Sequence, residues 1–123
     1  MSILKAWKSV QSVPFGLGPW CFQWLVLLKA PYSWTVFPRV VDLKEGYCRV
    51  QIKERAILKN PFNSIHAVAL ANVGELTSGL SMMSALDSQG LRGIVTKLET
   101  EYVKKAKGAS LCAGRLVVLM LFG

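Results

Sequence analysis

A single histidine, His66, stands at the head of a 20-residue apolar run, Ala67 to Leu86, whose one charged side chain is Glu75. An unpaired carboxylate is costly to bury. Glu75 therefore either reaches solvent or a basic partner, or is kept on this apolar segment for a chemical task.

The run that carries these residues contains no proline and follows a turn at Asn60-Pro61 and Asn63-Ser64. Asn63 or Ser64 fits a helix N-cap, so the segment is predicted as one helix roughly 30 Å long. Ala67, Ala71, Gly74, Ser78, Ser81 and Ala85 recur at steps of four and three and form a stripe of small residues. Val73, Leu76, Leu80 and Met83 form a bulkier stripe, so the helix is expected to be buried nearly all round. Its large side would fill a core, and its small side would let a second backbone approach closely.

Composition sets the outer limits. A chain of 123 residues is one domain, and 52% hydrophobic residues with a mean hydropathy of +0.36 exclude disorder. Cys21, Cys48 and Cys112 lack metal-site spacing and are odd in number. They are expected to be reduced core residues of an intracellular, cytoplasmic protein, with no metal or cofactor. Fifteen basic against seven acidic residues give a net charge of +8, which favours an anionic partner without naming it. No RNP-like, zinc or helix-turn-helix pattern accompanies that charge, so nucleic acid is disfavoured.

The first 41 residues hold Lys5, Lys8, Lys29 and Arg39 and no acid. Residues 1–16 are expected to form an N-terminal tail or leading helix before the domain at 17–123. Their Ser- and Lys-rich start leaves a mitochondrial presequence as an alternative. The uncharged stretch between Lys8 and Lys29 is broken by Pro14, Gly16, Gly18 and Pro19, and what remains is too short to cross a bilayer. A short helix is predicted near 19–30, with Trp20, Trp24, Leu27 and Leu28 capping the core; association with a membrane surface is the less favoured reading. Strands are predicted at 35–43 and 47–53, the second alternating Cys48, Val50 and Ile52 against Arg49, Gln51 and Lys53. After the long helix come strands at 93–104 and 110–122, with Ile94, Thr96, Leu98, Thr100 and Tyr102 of the first facing inward. An antiparallel sheet wrapped around one long helix, an α+β architecture, satisfies this order.

The spacing Asn60-x5-His66-x8-Glu75 resembles the active-site signature of hotdog-fold thioesterases of the PaaI-like acyl-CoA branch. The text NPFNSIHAVALANVGELTSGL, the turn Tyr102-Val103-Lys104-Lys105-Ala106-Lys107-Gly108 and the leading Ala30-Pro31-Tyr32 are more similar still to an uncharacterised family of that fold. The similarity runs from about Leu17 to Arg115. It implies a hotdog fold and an acyl-CoA-type thioester substrate. It also implies a homodimer, or a tetramer, with active sites at the interface. The Ala67 backbone amide would donate to the oxyanion. Glu75 would act as general base or nucleophile, Asn60 would orient water or the acyl group, and His66 would shape the carbonyl end. Lys104, Lys105 and Lys107 would meet coenzyme A phosphates. Glu75 lies about 12 Å along the helix from Ala67, so the glutamate reaching a given helix start would come from the other copy.

Two departures stand out. Many relatives carry a Gly pair where this chain has Ala67-Val68, which narrows the space over the carbonyl. After Gly108 only residues 109–123 remain, so the resemblance implies a shortened product lacking its last strands. Such a product would have an aggregation-prone edge along 116–122. Three readings stay open: an acyl-CoA thioester hydrolase, a catalytically silent hotdog module binding acyl chains or a partner subunit, and a small basic membrane- or nucleic-acid-binding protein.

Overall fold

Residues 2–115 are described by the structure, a computed structural model. The first helix, α1 (Ile3–Gln11), is capped by Ser2, whose hydroxyl accepts from the Lys5 N–H. This leading helix packs on the core: Ala6 and Trp7 are buried, and Trp7 meets Phe22 edge-on with ring centroids 5.0 Å apart. The Ile3 N–H also donates to the Asp87 carboxylate, 2.9 Å away at the far end of the chain's longest helix. The second helix, α2 (Gly18–Lys29), has Pro19 in its first turn and ends just before Pro31, which opens a 3₁₀ turn, Pro31–Trp34. It buries Phe22, Gln23, Val26 and Leu27. Trp20, Trp24 and Leu28 do not cap the core as expected; they lie on the opposite, solvent face.

Two strands follow, β1 (Arg39–Lys44) and β2 (Tyr47–Lys53), joined by a tight turn in which Gly46 takes φ 71°. Pro38 sits before β1 rather than inside it. Cys48, Val50 and Ile52 are buried while Arg49 and Gln51 are only half-buried, as the alternation predicts. The long helix α3 (Ala67–Leu86) crosses this sheet, and β3 (Ala109–Arg115) pairs antiparallel with β2, giving the order β1-β2-β3. At Gly114 a methyl group would lie 3.2–3.3 Å from Thr77, so the bare glycine lets β3 run close under the helix. Near the other end, the buried Ser84 hydroxyl donates to Lys44 O at 2.7 Å and accepts from the Gly46 N–H at 2.9 Å, fastening α3 to the β1–β2 turn.

Three expectations are corrected. Residues 93–104 form no strand; the segment is irregular and exposed, with Ile94 and Val103 about nine-tenths accessible. Alternation there suits any extended chain, but a strand needs a neighbour for its ladder, and this segment pairs with none of β1, β2 and β3. The helix α3 is buried on one side only, through Val73, Leu76, Thr77, Leu80, Ser81 and Ser84, and Met83 leaves the bulky stripe for solvent. Of the three cysteines, Cys48 is in the core and Cys21 is exposed. The expected strand's final residues, 116–122, lie outside the described residues.

Candidate active site

The start of α3 is held by a compact loop after β2. Lys59 bridges Ile65, the Asn60 N–H donates to Ser64 O at 2.8 Å, and Asn63 takes a left-handed φ of 56° to close the turn. Asn60 organises this loop with its side chain: Oδ1 accepts from the Phe62 and Ser64 amides at 3.0 and 3.1 Å, and Nδ2 donates to Ser64 Oγ at 3.0 Å. Two further bonds fix the approach to the helix. The Ile65 N–H donates to Ala106 O at 2.9 Å, and the His66 N–H to Leu58 O at 2.7 Å.

His66 itself is the N-cap, in place of the expected Asn63 or Ser64. Its backbone is extended (φ −61°, ψ 137°), and its Nδ1 accepts from the Val68 N–H at 3.2 Å. That bond satisfies one of the amides every helix leaves open at its start. The Ala67 N–H, one residue earlier, makes no hydrogen bond among the described residues. It sits at the positive end of a 20-residue helix, where an anion or a developing oxyanion is favoured.

Two shallow cavities flank this point. One, of about 310 Å³, is lined by Asn60, Ser64, Ala67, Tyr102, Lys104 and Lys105 among others. The second, of about 230 Å³, lies on the other side of the cap and includes His66, Lys59, Tyr32 and Asn72. Neither has a carboxylate in its wall, so both present donors and positive charge. The structure thus brings Asn60, Ala67, Lys104 and Lys105 together and turns His66 toward the neighbouring hollow. Lys107 lines neither cavity; its charge instead helps hold Glu54. The Gly108 N–H, donating to Glu54 Oε2 at 2.6 Å, is the main force keeping that carboxyl below its ordinary range, with Lys59 and Lys107 reinforcing it.

Glu75 is exposed on the outer face of α3, lines neither cavity, and its carboxylate has no hydrogen-bond or ion-pair partner among the described residues. It lies amid the small-residue stripe: Ser78 is exposed, Ala71 and Gly74 are half-buried, and an added methyl at Gly74 or Gly79 would meet nothing within 4 Å. The stripe is therefore open at its middle, although Ser81 is buried against the chain's own core.

Sequence reasoning missed Tyr102, whose hydroxyl donates to Ala67 O at 2.9 Å and ties the segment after α3 to the helix start. Alternation alone places it on an inward strand face. It also missed the buried Ser33, which donates to Asn72 beside the smaller cavity. Nothing in the local sequence marks either pair, since the partners are 35 and 39 residues apart.

Residues 18–117 match the profile of a domain of unknown function, DUF4442. Among solved structures, a structural-genomics target protein superposes with a TM-score of 0.73 at 28% identity, covering 92% of this chain and 74% of its own. A Pseudomonas aeruginosa protein described as of unknown function and a probable thioesterase gives 0.67 at 26% identity, over 76% of this chain and 62% of that one. A conserved protein from the same organism, 23% identical with a TM-score of 0.66 over 72% of this chain and 71% of its own, shares the fold. No functionally curated protein matches the chain. With the profile covering residues 18–117, the chain belongs to the DUF4442 family and has a hotdog, thioesterase-like fold.

Proposed function

We propose that two copies of this chain form an acyl-thioester hydrolase acting on coenzyme A-type thioesters. The observation that carries the reading is the unengaged Ala67 amide at the positive end of α3, in a residue that lines a cavity together with Lys104 and Lys105. In this reading the thioester carbonyl lies against that amide, and the two lysines meet the phosphates of the thiol carrier. Asn60 holds the loop that presents the helix start, and His66 caps Val68 so that the Ala67 amide is the one left for substrate.

Glu75 of the second copy supplies the base. The exposed carboxylate and the open glycine-serine stripe support an approach of two α3 helices along this face. The carboxylate takes a proton from water as the water oxygen bonds to the acyl carbon, and the carbonyl electrons move onto the oxygen facing the Ala67 N–H. The tetrahedral intermediate then collapses, breaking the carbon–sulfur bond. The thiolate leaves and takes up the proton, and the free acid remains.

Purified protein mixed with a panel of acyl-CoAs and a thiol reporter tests this. Thiol release is expected, with Glu75→Gln lowering kcat by at least about 10²-fold while leaving the circular dichroism unchanged. A mutant as active as its parent removes Glu75 from the mechanism. Because Glu75 lines neither of these cavities within a single chain, a second reading is a silent module that binds acyl-CoA. It predicts saturable binding with no thiol release.

A further inference from the structure

The solvent face of α2 has the wrong chemistry for a surface helix. Leu17 (49% exposed), Trp20 (49%), Trp24 (42%) and Leu28 (72%) follow one another at steps of three, four and four, forming an apolar stripe where polar residues are the rule. Phe15, 94% exposed, precedes them in a left-handed conformation (φ 63°). The aromatic rings here pack on one another. Trp24 meets Trp34 and Phe37 edge-on at 5.3 and 6.0 Å, and Trp20 meets Phe37 at 6.4 Å. Phe37 also has a positive φ, 47°, uncommon for a bulky residue, and its carbonyl accepts from the buried Gln23 amide at 3.3 Å. The Arg55 guanidinium lies 5.5 Å over the Phe37 ring and donates to Thr35 O.

Two exposed cations border this face. Lys29 stands exposed at the end of the stripe and Arg55 is exposed beside the rings; neither joins an ion pair among the described residues. No acidic residue occurs before Asp42. Tryptophans packed edge-on beside cations that join no ion pair are the features that seat a helix in the headgroup layer of an anionic bilayer. No helix among the described residues is long and apolar enough to cross a membrane, so such contact would be in plane. A second copy pairing through this face would set cations against cations.

We propose that the exposed face of α2, with Trp34 and Arg55, docks on the surface of an anionic lipid bilayer. Tyr32 and Thr35, on either side of Trp34, line the His66 cavity, so docking brings that cavity's rim to the lipid. Whether acyl substrate arrives by that route rests on the hydrolase reading; the docking itself does not.

Flotation of the full chain with vesicles of phosphatidylcholine, with and without phosphatidylserine, provides the test. The protein is expected to float only with phosphatidylserine present and to be released by high salt. Its tryptophan emission should shift to the blue as Trp20, Trp24 and Trp34 leave water, while Trp7, already buried, contributes no change. Lys29→Gln, which touches nothing in the core, should weaken partitioning about fivefold. Trp24→Ser with Leu28→Ser should weaken it at least about tenfold. Absence of flotation, equal flotation on uncharged vesicles, or flotation untouched by both sets of variants would overturn the proposal. So would variants that abolish only self-association, since a second copy would then own the face. A chain that floats but releases no thiol would refute the hydrolase alone.

Discussion

Replacing Gly74 by leucine separates the fold of one chain from the assembly of two. A methyl group built at Gly74 meets nothing within 4 Å, so within one chain the leucine side chain projects into open space. Glycine inside a helix costs about 0.8–1.0 kcal/mol relative to alanine, and leucine is nearly as good a helix former as alanine. Folding should therefore be unharmed, or gain something under about 1 kcal/mol. At a closely packed helix–helix contact the same side chain is an overpacking of about 1–3 kcal/mol. A two-fold axis repeats it, giving about 2–6 kcal/mol, or a dissociation constant raised roughly 30- to 10⁴-fold. Sedimentation velocity at micromolar concentration should show dimers for the parent and monomers for Gly74→Leu, with the thermal midpoint unchanged or raised. Ser78→Leu, at an exposed position on the same stripe, should behave alike. A parent that is monomeric, or dimers that survive both substitutions, would refute the assembly argument.

Other outcomes follow from the packing and the charges. At Gly18 a methyl group would press into the Val10 carbonyl of α1, so Gly18→Ala should lower stability by about 1–3 kcal/mol in denaturant titration; an unchanged midpoint would mean that α1 does not pack on α2. Glu54 is held below its ordinary value of 4.5, chiefly by the Gly108 N–H. A carboxyl depressed in the folded state adds stability above its unfolded value and loses it as pH falls through the folded one. Acidification below 4.5 should thus destabilise the parent more than Glu54→Gln, and equal acid sensitivity would refute the Glu54–Gly108 contact.

What the sequence disclosed, and what it hid, divides along physical lines. Local periodicity sufficed for β2, where Cys48, Val50 and Ile52 alternate with polar residues beside a glycine turn, and for α3, an unbroken apolar run without proline. The same periodicity misled at 93–104, because alternation states which way side chains point and says nothing about whether a neighbouring strand exists. The cap differs from expectation because Asn and Ser are stronger cap formers than histidine, while the Ser64 hydroxyl is engaged with the Asn60 side chain. Hydrophobicity alone places Trp20 and Trp24 in the core, a one-way rule that fails on surfaces with apolar patches. At the candidate site, Asn60 and Ala67 line one cavity and His66 caps the same helix start from the neighbouring one, all close in sequence. Tyr102 reaches Ala67 O only through the tertiary fold, and Glu75, eight residues along a rigid helix, stays outside the cavity.

The central claim, that each site combines the helix start of one copy with Glu75 of the other, is tested most directly by complementation between two inactive variants. Ala67→Pro deletes the donor N–H at the first helical position, where proline is tolerated, and His66 before it already has the extended backbone that proline requires. Loss of one such donor should lower kcat about 10²–10³-fold, and Glu75→Gln alone should be comparably inactive. Co-refolding equal amounts of the two should restore about a quarter of the parent's thiol release, because half the dimers are mixed and each mixed dimer has one intact site of two. Recovery at that level is the predicted result; a mixture no more active than its separate components would contradict the account.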